Sequence, residues 1–218
     1  KNPLVVALGD SVTAGHFEFA GNPREIFEGY RNGSCPEETP VEITDAREGY
    51  LEKFRMLLID RYEQTSVSTV NSGIAGDTII GMQRRLYRDV IRYQPDLAIL
   101  NASLNWGPND GTIGDYARIL AQVVHAMRSE LTGDIVLLTP NMEAPSPFAN
   151  TEVPLVQRVN AVRELAEHEG LPLVDVYRIW ETYVGRGYPL DVLLANGINH
   201  PSTVGHEVYA RALMKLMD

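Results

Sequence analysis

Four short polar segments of the sequence carry residue types that act together in acyl-transfer chemistry. Residues 9–16 read GDSVTAGH, residues 71–78 NSGIAGDT, residues 101–106 NASLNW and residues 196–201 NGINHP. The first three begin at or directly after the end of an apolar run typical of a strand, and the fourth leads into the last helical pattern. Together they supply a hydroxyl, a glycine turn, a side-chain amide and an imidazole.

Each of these groups has a defined task in acyl transfer. Ser11 is the expected nucleophile, and His200 would take its proton and later return it to the leaving group. The tetrahedral intermediate carries negative charge on the former carbonyl oxygen, and each donor aimed at that oxygen contributes about 2.7–4 kcal/mol. The expected donors are the N–H groups of Ser11 and Gly76 and the amide of Asn105. Glycine suits this place because a backbone without Cβ can approach a ligand closely.

Alternating strand and helix patterns predict how these segments come together. The strand candidates are short and nearly continuously apolar, as expected for strands buried on both faces of a parallel sheet. They cover residues 4–8, 66–71, 97–101, 135–139 and 171–176. Amphipathic helical patterns lie between them, so the sequence predicts an α/β fold with a three-layer α/β/α arrangement. Because ligands bind beyond the carboxyl ends of such strands, the polar segments should share one rim.

Two capping patterns mark the starts of helices in this alternation. Asp45 with Glu48, and Thr112 with Asp115, resemble capping boxes in front of apolar stripes. Gly170 is the expected end of a third helix, which begins near residue 155.

The segments at residues 9–16 and 71–78 together resemble the first two sequence blocks of the GDSL esterase/lipase family, also called SGNH hydrolases. The family's four blocks extend here from Gly9 to Pro201. The resemblance implies a flavodoxin-like five-stranded parallel sheet of order 2-1-3-4-5. It also implies a serine-dependent carboxylic-ester hydrolase that forms an acyl-enzyme without cofactor or metal, with the family serine at Ser11, the glycine at Gly76 and the histidine at His200. The expected partner is a small-molecule ester or an acylated carbohydrate or lipid.

The third block departs from the family, which usually has Gly-x-Asn-Asp directly after the third strand. Residues 103–106 (SLNW) occupy that place, and Gly-Pro-Asn-Asp follows at residues 107–110. We favour Asn105 as the oxyanion amide because it lies at the rigid strand end, where a misplacement of about 1 Å can cost about 10²-fold in rate. Asn109, on a loop after a proline, is the alternative. Trp106 replaces the family Asp, and its ring could line the substrate pocket or simply pack in the interior.

The fourth block departs as well, because the family commonly has Asp-x-x-His, in which the Asp orients the imidazole. If Asn199 is an insertion, Asn196 occupies the Asp position, and an amide cannot stabilise an imidazolium as a carboxylate does. In serine proteases this exchange lowers kcat by about 10⁴, largely through the wrong tautomer. We favour a Ser–His dyad in which a backbone carbonyl accepts the Nδ1 proton. The alternative is Asp191, folded back from the preceding loop as the acid.

One long segment interrupts the regular alternation. Residues 16–44 read as a loop rich in Gly, Pro and charge, and loops of this length are usually functional or mobile. We place this loop near the active site, where His16 is a candidate for lining the substrate pocket. No linker or internal repeat is visible, so we interpret residues 1–218 as a single SGNH-hydrolase-like domain.

The acidic composition narrows the possible partners. The chain has 19 Lys+Arg and 29 Asp+Glu, a formal net charge of −10, which argues against a nucleic-acid partner. No apolar run approaches the roughly 18 residues of a membrane span. No signal peptide is visible, which fits a cytoplasmic protein or a secreted one after signal removal. Cys35 is the only cysteine, so an intrachain disulfide and a Cys-based zinc site are excluded. The sequence carries no signal for the oligomeric state.

Two other functions fit the same residues. The missing carboxylate would suit a catalytically silent protein that binds esterified sugars or lipids. The resemblance also permits an acyltransferase that passes the acyl group to a sugar instead of water.

Overall fold

The computed structural model describes residues 2–19, 29, 42–63, 65–145 and 151–217. Five parallel strands form its central sheet: β1 (Leu4–Gly9), β4 (Ser68–Gly73), β5 (Leu97–Asn101), β6 (Asp134–Leu138) and β7 (Leu173–Val174). Their order across the sheet is β4-β1-β5-β6-β7, which is 2-1-3-4-5 when only these strands are counted. The predicted flavodoxin-like order is therefore confirmed.

The register of the sheet places the carboxyl ends of three adjacent strands side by side. Gly9 at the end of β1 pairs with Gly73 of β4 on one side and with Asn101 of β5 on the other. The residues that follow these three strands therefore start from one edge, as the rule for ligand sites in open parallel sheets requires.

Helices cover both faces of the sheet. They are α1 (Ser11–Ala14), α2 (Tyr50–Arg61), α3 (Ile79–Asp89), α4 (Ile113–Glu130), α5 (Leu155–Glu169), α6 (Val176–Gly185), α7 (Leu190–Leu193) and α8 (Thr203–Met214). Alternate residues of β1 face opposite layers, with Val5 in the core under α2, α6 and α8 and Val6 in the core under α3 and α4. Helix α5 contributes to both cores. This is the predicted three-layer α/β/α arrangement.

The helix boundaries agree with the capping signals in part. Thr112 and Asp115 form the predicted capping box at the start of α4. Gly170 ends α5 with a positive φ of 63°, which glycine adopts readily. Asp45 instead caps a short 3₁₀ helix, residues 46–48, and α2 begins only after Gly49.

The ends of the long segment are more regular than the sequence predicts. The strands β2 (His16–Phe19) and β3 (Glu42–Asp45) pair antiparallel as a separate ribbon, so the prediction of a loop is wrong there. The sequence of β2 alternates polar and apolar residues, and β3 has a single apolar residue, so neither has the continuous apolar run of the main sheet. The rest of that loop prediction, apart from residue 29, falls outside the described residues.

None of the helices in the described ranges combines the length and the apolar character that crossing a membrane requires. Within the same ranges, no three His, Cys, Asp or Glu side chains come together as a metal ion would need. The absence of a cofactor and the single-domain interpretation both stay predictions.

Candidate active site

Ser11 is the first residue of α1 and follows β1 by one residue. Asp10 caps this short helix, because its Oδ1 accepts a hydrogen bond from the N–H of Val12 at 3.0 Å. A side chain on Gly73 of the neighbouring β4 would collide with the backbone of Ala14, so glycine there lets α1 lie against the strand. The serine is only 4% exposed and is held by these contacts at the edge of the sheet.

His200 comes from the other end of the chain and meets this serine. The distance from Ser11 Oγ to His200 Nε2 is 2.8 Å. A hydrogen bond from the N–H of Ala195 to the carbonyl of His200 closes the loop that carries the imidazole. Ser202 then caps α8 by accepting from the N–H of Gly205. The hydroxyl and the imidazole are thus brought together as the sequence predicts.

A buried series of contacts connects the serine-bearing turn with the histidine-bearing loop. Thr13 Oγ1 lies 2.9 Å from Tyr50 Oη, and the Tyr50 ring stacks on that of Tyr209 with centroids 5.2 Å apart. Tyr209 Oη donates to Asn141 Oδ1 at 2.9 Å, and Asn141 Nδ2 donates to the carbonyl of Asn199 at 2.8 Å. Helices α1, α2 and α8 and the segment after β6 therefore hold the two groups in a fixed relation.

Gly76 lies in a tight turn after β4. The N–H of Asp77 donates to the carbonyl of Ile74 at 3.1 Å, and Gly76 has a φ of 73°, which the third residue of such a turn adopts readily only as glycine. Arg85 from α3 holds the turn in place: its Nε donates to Asp77 Oδ2 at 2.7 Å and its Nη2 to the carbonyl of Gly9 at 2.8 Å. One buried guanidinium thus fixes the glycine turn to the end of β1.

Asn105 lies directly beside this turn, since its Nδ2 donates to the carbonyl of Asp77 at 3.1 Å. Buried Arg158 of α5 supports the segment by donating to two successive carbonyl oxygens just before Asn105, at 2.6 and 2.7 Å. Asn109 is exposed, on the turn of residues 107–110. This arrangement favours Asn105 of the two amides, and its part in an oxyanion hole stays a prediction.

The two candidates for lining the substrate pocket have different outcomes. Trp106 is 4% exposed, meets the Tyr116 ring edge-on at 5.3 Å and donates from Nε1 to the carbonyl of Gly111 at 3.0 Å. These contacts favour interior packing, the second of its two interpretations. His16 begins β2, but its side chain falls outside the described residues, so its role stays a prediction.

The group on the far side of the imidazole is Asn196, which the sequence places in the family's Asp position and which was a candidate for orienting His200, beside Asp191 and a backbone carbonyl. Asn196 is 2% exposed, and its Nδ2 lies 2.7 Å from His200 Nδ1. The proposed carbonyl acceptor is therefore corrected. Asp191 belongs to the short helix α7 and is exposed, because this helix turns that side chain to solvent. The sequence alignment of Asn196 with the family Asp agrees with this geometry.

Two arginines that support the site were missed by the sequence analysis. Arg85 and Arg158 are both buried, at 7% and 2% exposure. Each stands on the apolar stripe of its helix, Arg85 between Met82 and Leu86 and Arg158 next to Val159. A charged residue on a buried stripe needs internal partners, and that mismatch was the available signal.

Asp10 is the buried carboxylate closest in sequence to the nucleophile. Burial raises the pKa of Asp10 from 3.8 to about 6, and the hydrogen bond from Val12 and the charge of His200 offset part of this rise. Within the described residues, no hydrogen bond reaches its Oδ2. The folded protein therefore holds this proton more tightly than the unfolded chain, and ionised Asp10 lowers the stability of the fold.

Replacement of Asp10 by Asn is expected to stabilise the protein near pH 8. Because the pKa of Asp10 is raised, the loss of stability caused by its ionisation is absent below about pH 4, grows as the pH rises and is complete above about pH 6. The rise in the pKa from 3.8 to about 6 corresponds to about 3 kcal/mol of unfolding free energy. Asn keeps the acceptor for Val12 and removes the charge. Urea unfolding of the variant and wild type at pH 4 and pH 8 measures the difference, with Asp60→Asn, on the exposed end of α2, as control. Equal stability of Asp10→Asn and wild type at pH 8 would contradict the prediction.

The buried Ser11 lies within hydrogen-bonding distance of an imidazole at the carboxyl edge of an open parallel sheet. This arrangement defines a serine hydrolase, and one that differs from the α/β-hydrolases with their nucleophile elbow. A family model described as "GDSL-like Lipase/Acylhydrolase family" matches residues 7–208. The chain belongs to this family and is a serine-type carboxylic-ester hydrolase.

Individual relatives agree with the family and the fold. An acetylxylan esterase from Geobacillus stearothermophilus is 27% identical over 180 residues, which cover 77% of this chain and 80% of the relative. The solved structure of a mutant acetyl-xylooligosaccharide esterase from the same organism superposes with a TM-score of 0.72 at 23% identity, covering 98% of this chain and 93% of the other. A lipase/acylhydrolase from Enterococcus faecalis gives 0.72 at 22% identity, with coverage of 99% and 95%.

Proposed function

We propose that the protein removes acetyl groups from acetylated carbohydrates, with Ser11 as nucleophile and His200 as general base. The observation that carries the proposal is the 2.8 Å distance between Ser11 Oγ and His200 Nε2. The substrate class is supported by the acetylated xylan substrates named for its relatives from Geobacillus stearothermophilus.

In the proposed reaction, Ser11 Oγ attacks the carbonyl carbon of the ester while its proton passes to His200 Nε2. The carbonyl oxygen becomes an oxyanion, which accepts hydrogen bonds from the N–H groups of Ser11 and Gly76 and from the amide of Asn105. The tetrahedral intermediate collapses, the sugar alkoxide leaves with the proton from the imidazole, and acetyl-Ser11 remains. Water then attacks with the same assistance and releases acetate.

Release of acetate from acetylated xylooligosaccharides tests the substrate class. We expect the wild type to release acetate from these sugars and to prefer p-nitrophenyl acetate to the decanoate. A His200→Ala variant measured in parallel gives the background. Hydrolysis confined to long-chain esters would reject the carbohydrate assignment, and transfer of acetyl to an added sugar acceptor at the expense of free acetate would identify an acyltransferase.

A further inference from the structure

The orientation of the Asn196 side chain is fixed by the loop that contains it. Three successive backbone N–H groups, those of Ile198, Asn199 and His200, donate to Asn196 Oδ1 at 3.0, 2.9 and 2.9 Å. Only an oxygen can accept three hydrogen bonds, so these donors identify which end of the amide is oxygen. The other end of the amide, which faces His200, must be the nitrogen.

This orientation determines where the imidazole carries its proton. Asn196 Nδ2 lies 2.7 Å from His200 Nδ1, and an amide nitrogen is a donor only. Nδ1 must therefore accept, and a neutral imidazole that accepts at Nδ1 carries its hydrogen on Nε2. Nε2 is the atom that lies 2.8 Å from Ser11 Oγ. In this arrangement the imidazole donates to the serine, whereas removal of the serine proton requires it to accept.

We propose that Asn196 is a positioning residue that holds His200 in the Nε2–H tautomer, so that the ring must change tautomer before it can activate Ser11. The inference rests on the roles proposed above for Ser11 and His200. The protein would thus be an attenuated hydrolase, limited by the state of its base.

The loop opposes the change of tautomer. A hydrogen on Nδ1 would point at the hydrogens of Asn196 Nδ2, and the imidazolium formed during acyl transfer would meet the same conflict. Rotating the amide by half a turn would remove this conflict but would leave three backbone donors facing a nitrogen. Buried donors without acceptors are unfavourable, so the observed orientation is retained.

The same loop is suited to a carboxylate. An aspartate has the shape of asparagine, so its Oδ1 would keep the three backbone donors while its Oδ2 accepted a hydrogen from Nδ1. Hydrogen bonds from several N–H groups stabilise the charged form of a buried carboxylate, and so does a neighbouring imidazolium. Asn196→Asp therefore reverses the tautomer without changing the geometry of the loop.

Kinetics of Asn196→Asp with p-nitrophenyl acetate test the proposal. We expect kcat to rise by at least about 10²-fold with little change in KM, since the converse exchange in serine proteases lowers kcat by about 10⁴. Asn160→Asp is the matched control, because it makes the same exchange and adds the same charge at an exposed position of α5 that takes no part in the site. The control should change kcat by about fivefold or less, the usual range for a weakly coupled charge.

The ¹⁵N chemical shifts of the His200 ring provide a second measurement. They would not change in Asn196→Asp if Asn196 only stabilised the loop. The wild type should show a hydrogen on Nε2, and Asn196→Asp a hydrogen on Nδ1. A hydrogen on Nδ1 in the wild type would overturn the proposal, even if the variant failed to fold. An unchanged kcat in a folded Asn196→Asp protein, or an equal gain in Asn160→Asp, would overturn it as well.

Failure of the proposed function gives a different result from failure of this inference. If Ser11 is not the nucleophile, a fluorophosphonate probe will label neither the wild type nor Asn196→Asp at Ser11. If only the tautomer assignment is wrong, both proteins will be labelled at equal rates. The proposal requires labelling of both, with the faster rate in Asn196→Asp.

Discussion

Replacement of Ser11 by Ala is expected to reduce hydrolysis of p-nitrophenyl acetate to the level that binding and the oxyanion donors alone can support. In subtilisin, loss of the nucleophile alone costs about 2 × 10⁶ in kcat and loss of the acid alone about 3 × 10⁴, and such losses are far from additive. Because this protein has Asn196 in place of the acid, removal of its nucleophile should lower kcat by a smaller factor than in subtilisin. We therefore expect a loss of about 10²-fold in the natural background and a much larger one, approaching 10⁶-fold, when Asn196→Asp is also present.

The comparison between the two backgrounds makes this prediction specific. Ser129→Ala removes a hydroxyl from the exposed side of α4, where it donates to the carbonyl of Ala126 in the same helix, and should leave kcat/KM unchanged. The measurement is the initial rate, corrected for the rate without enzyme, of five proteins: the wild type, Ser11→Ala, Asn196→Asp, the double variant and Ser129→Ala. Retention of most activity in Ser11→Ala would refute the nucleophile assignment, whatever the residue at position 196.

Replacement of Asn105 by Ala is expected to lower kcat by about 10²–10³-fold, the effect of removing one oxyanion donor. The reason is its place beside the Gly76 turn, where its amide donates to the Asp77 carbonyl at 3.1 Å. Asn109→Ala should have no effect on kcat, because that side chain is exposed on the next turn. Steady-state kinetics with one acetyl ester compare the two variants directly.

An isosteric variant removes the donor while it keeps the volume of the side chain. Asn105→Asp keeps the shape of the side chain but replaces the donor with a carboxylate, which repels an oxyanion. Its kcat should fall at least as far as that of Asn105→Ala, with a circular dichroism spectrum like the wild type. If Asn109→Ala alone is impaired, the oxyanion amide lies on the 107–110 turn and our assignment is wrong.

The sheet and the catalytic pair could be predicted because their signals are local and repeated. Continuous apolar runs identify buried parallel strands, and the rule that sites follow the strand ends then brings Ser11 and His200 to one edge. The last strand is the exception, since only Leu173–Val174 pairs within the predicted 171–176. Its last residue, Val176, instead begins α6, which Asp175 caps.

Other parts of the site depend on orientation, which spacing does not encode. The sequence aligns Asn196 with a family aspartate, but only three convergent N–H groups reveal which end of its amide faces the imidazole. The roles of Arg85 and Arg158 depend on which carbonyl groups lie within reach in the folded chain. The β2–β3 ribbon lacks the continuous apolar runs that indicate the strands of the main sheet, so its pairing is not evident from the sequence.

The separation of Ser11 and His200 by 189 positions has a consequence for how the protein acquires its activity. Strand β1 lies between β4 and β5 in the sheet, so its pairing can be completed only after residue 101 has been synthesised. Contacts between such distant positions close large loops and form slowly. During synthesis the ribosome releases the hydroxyl long before the imidazole that must join it, so ester cleavage is among the last properties that the maturing polypeptide gains.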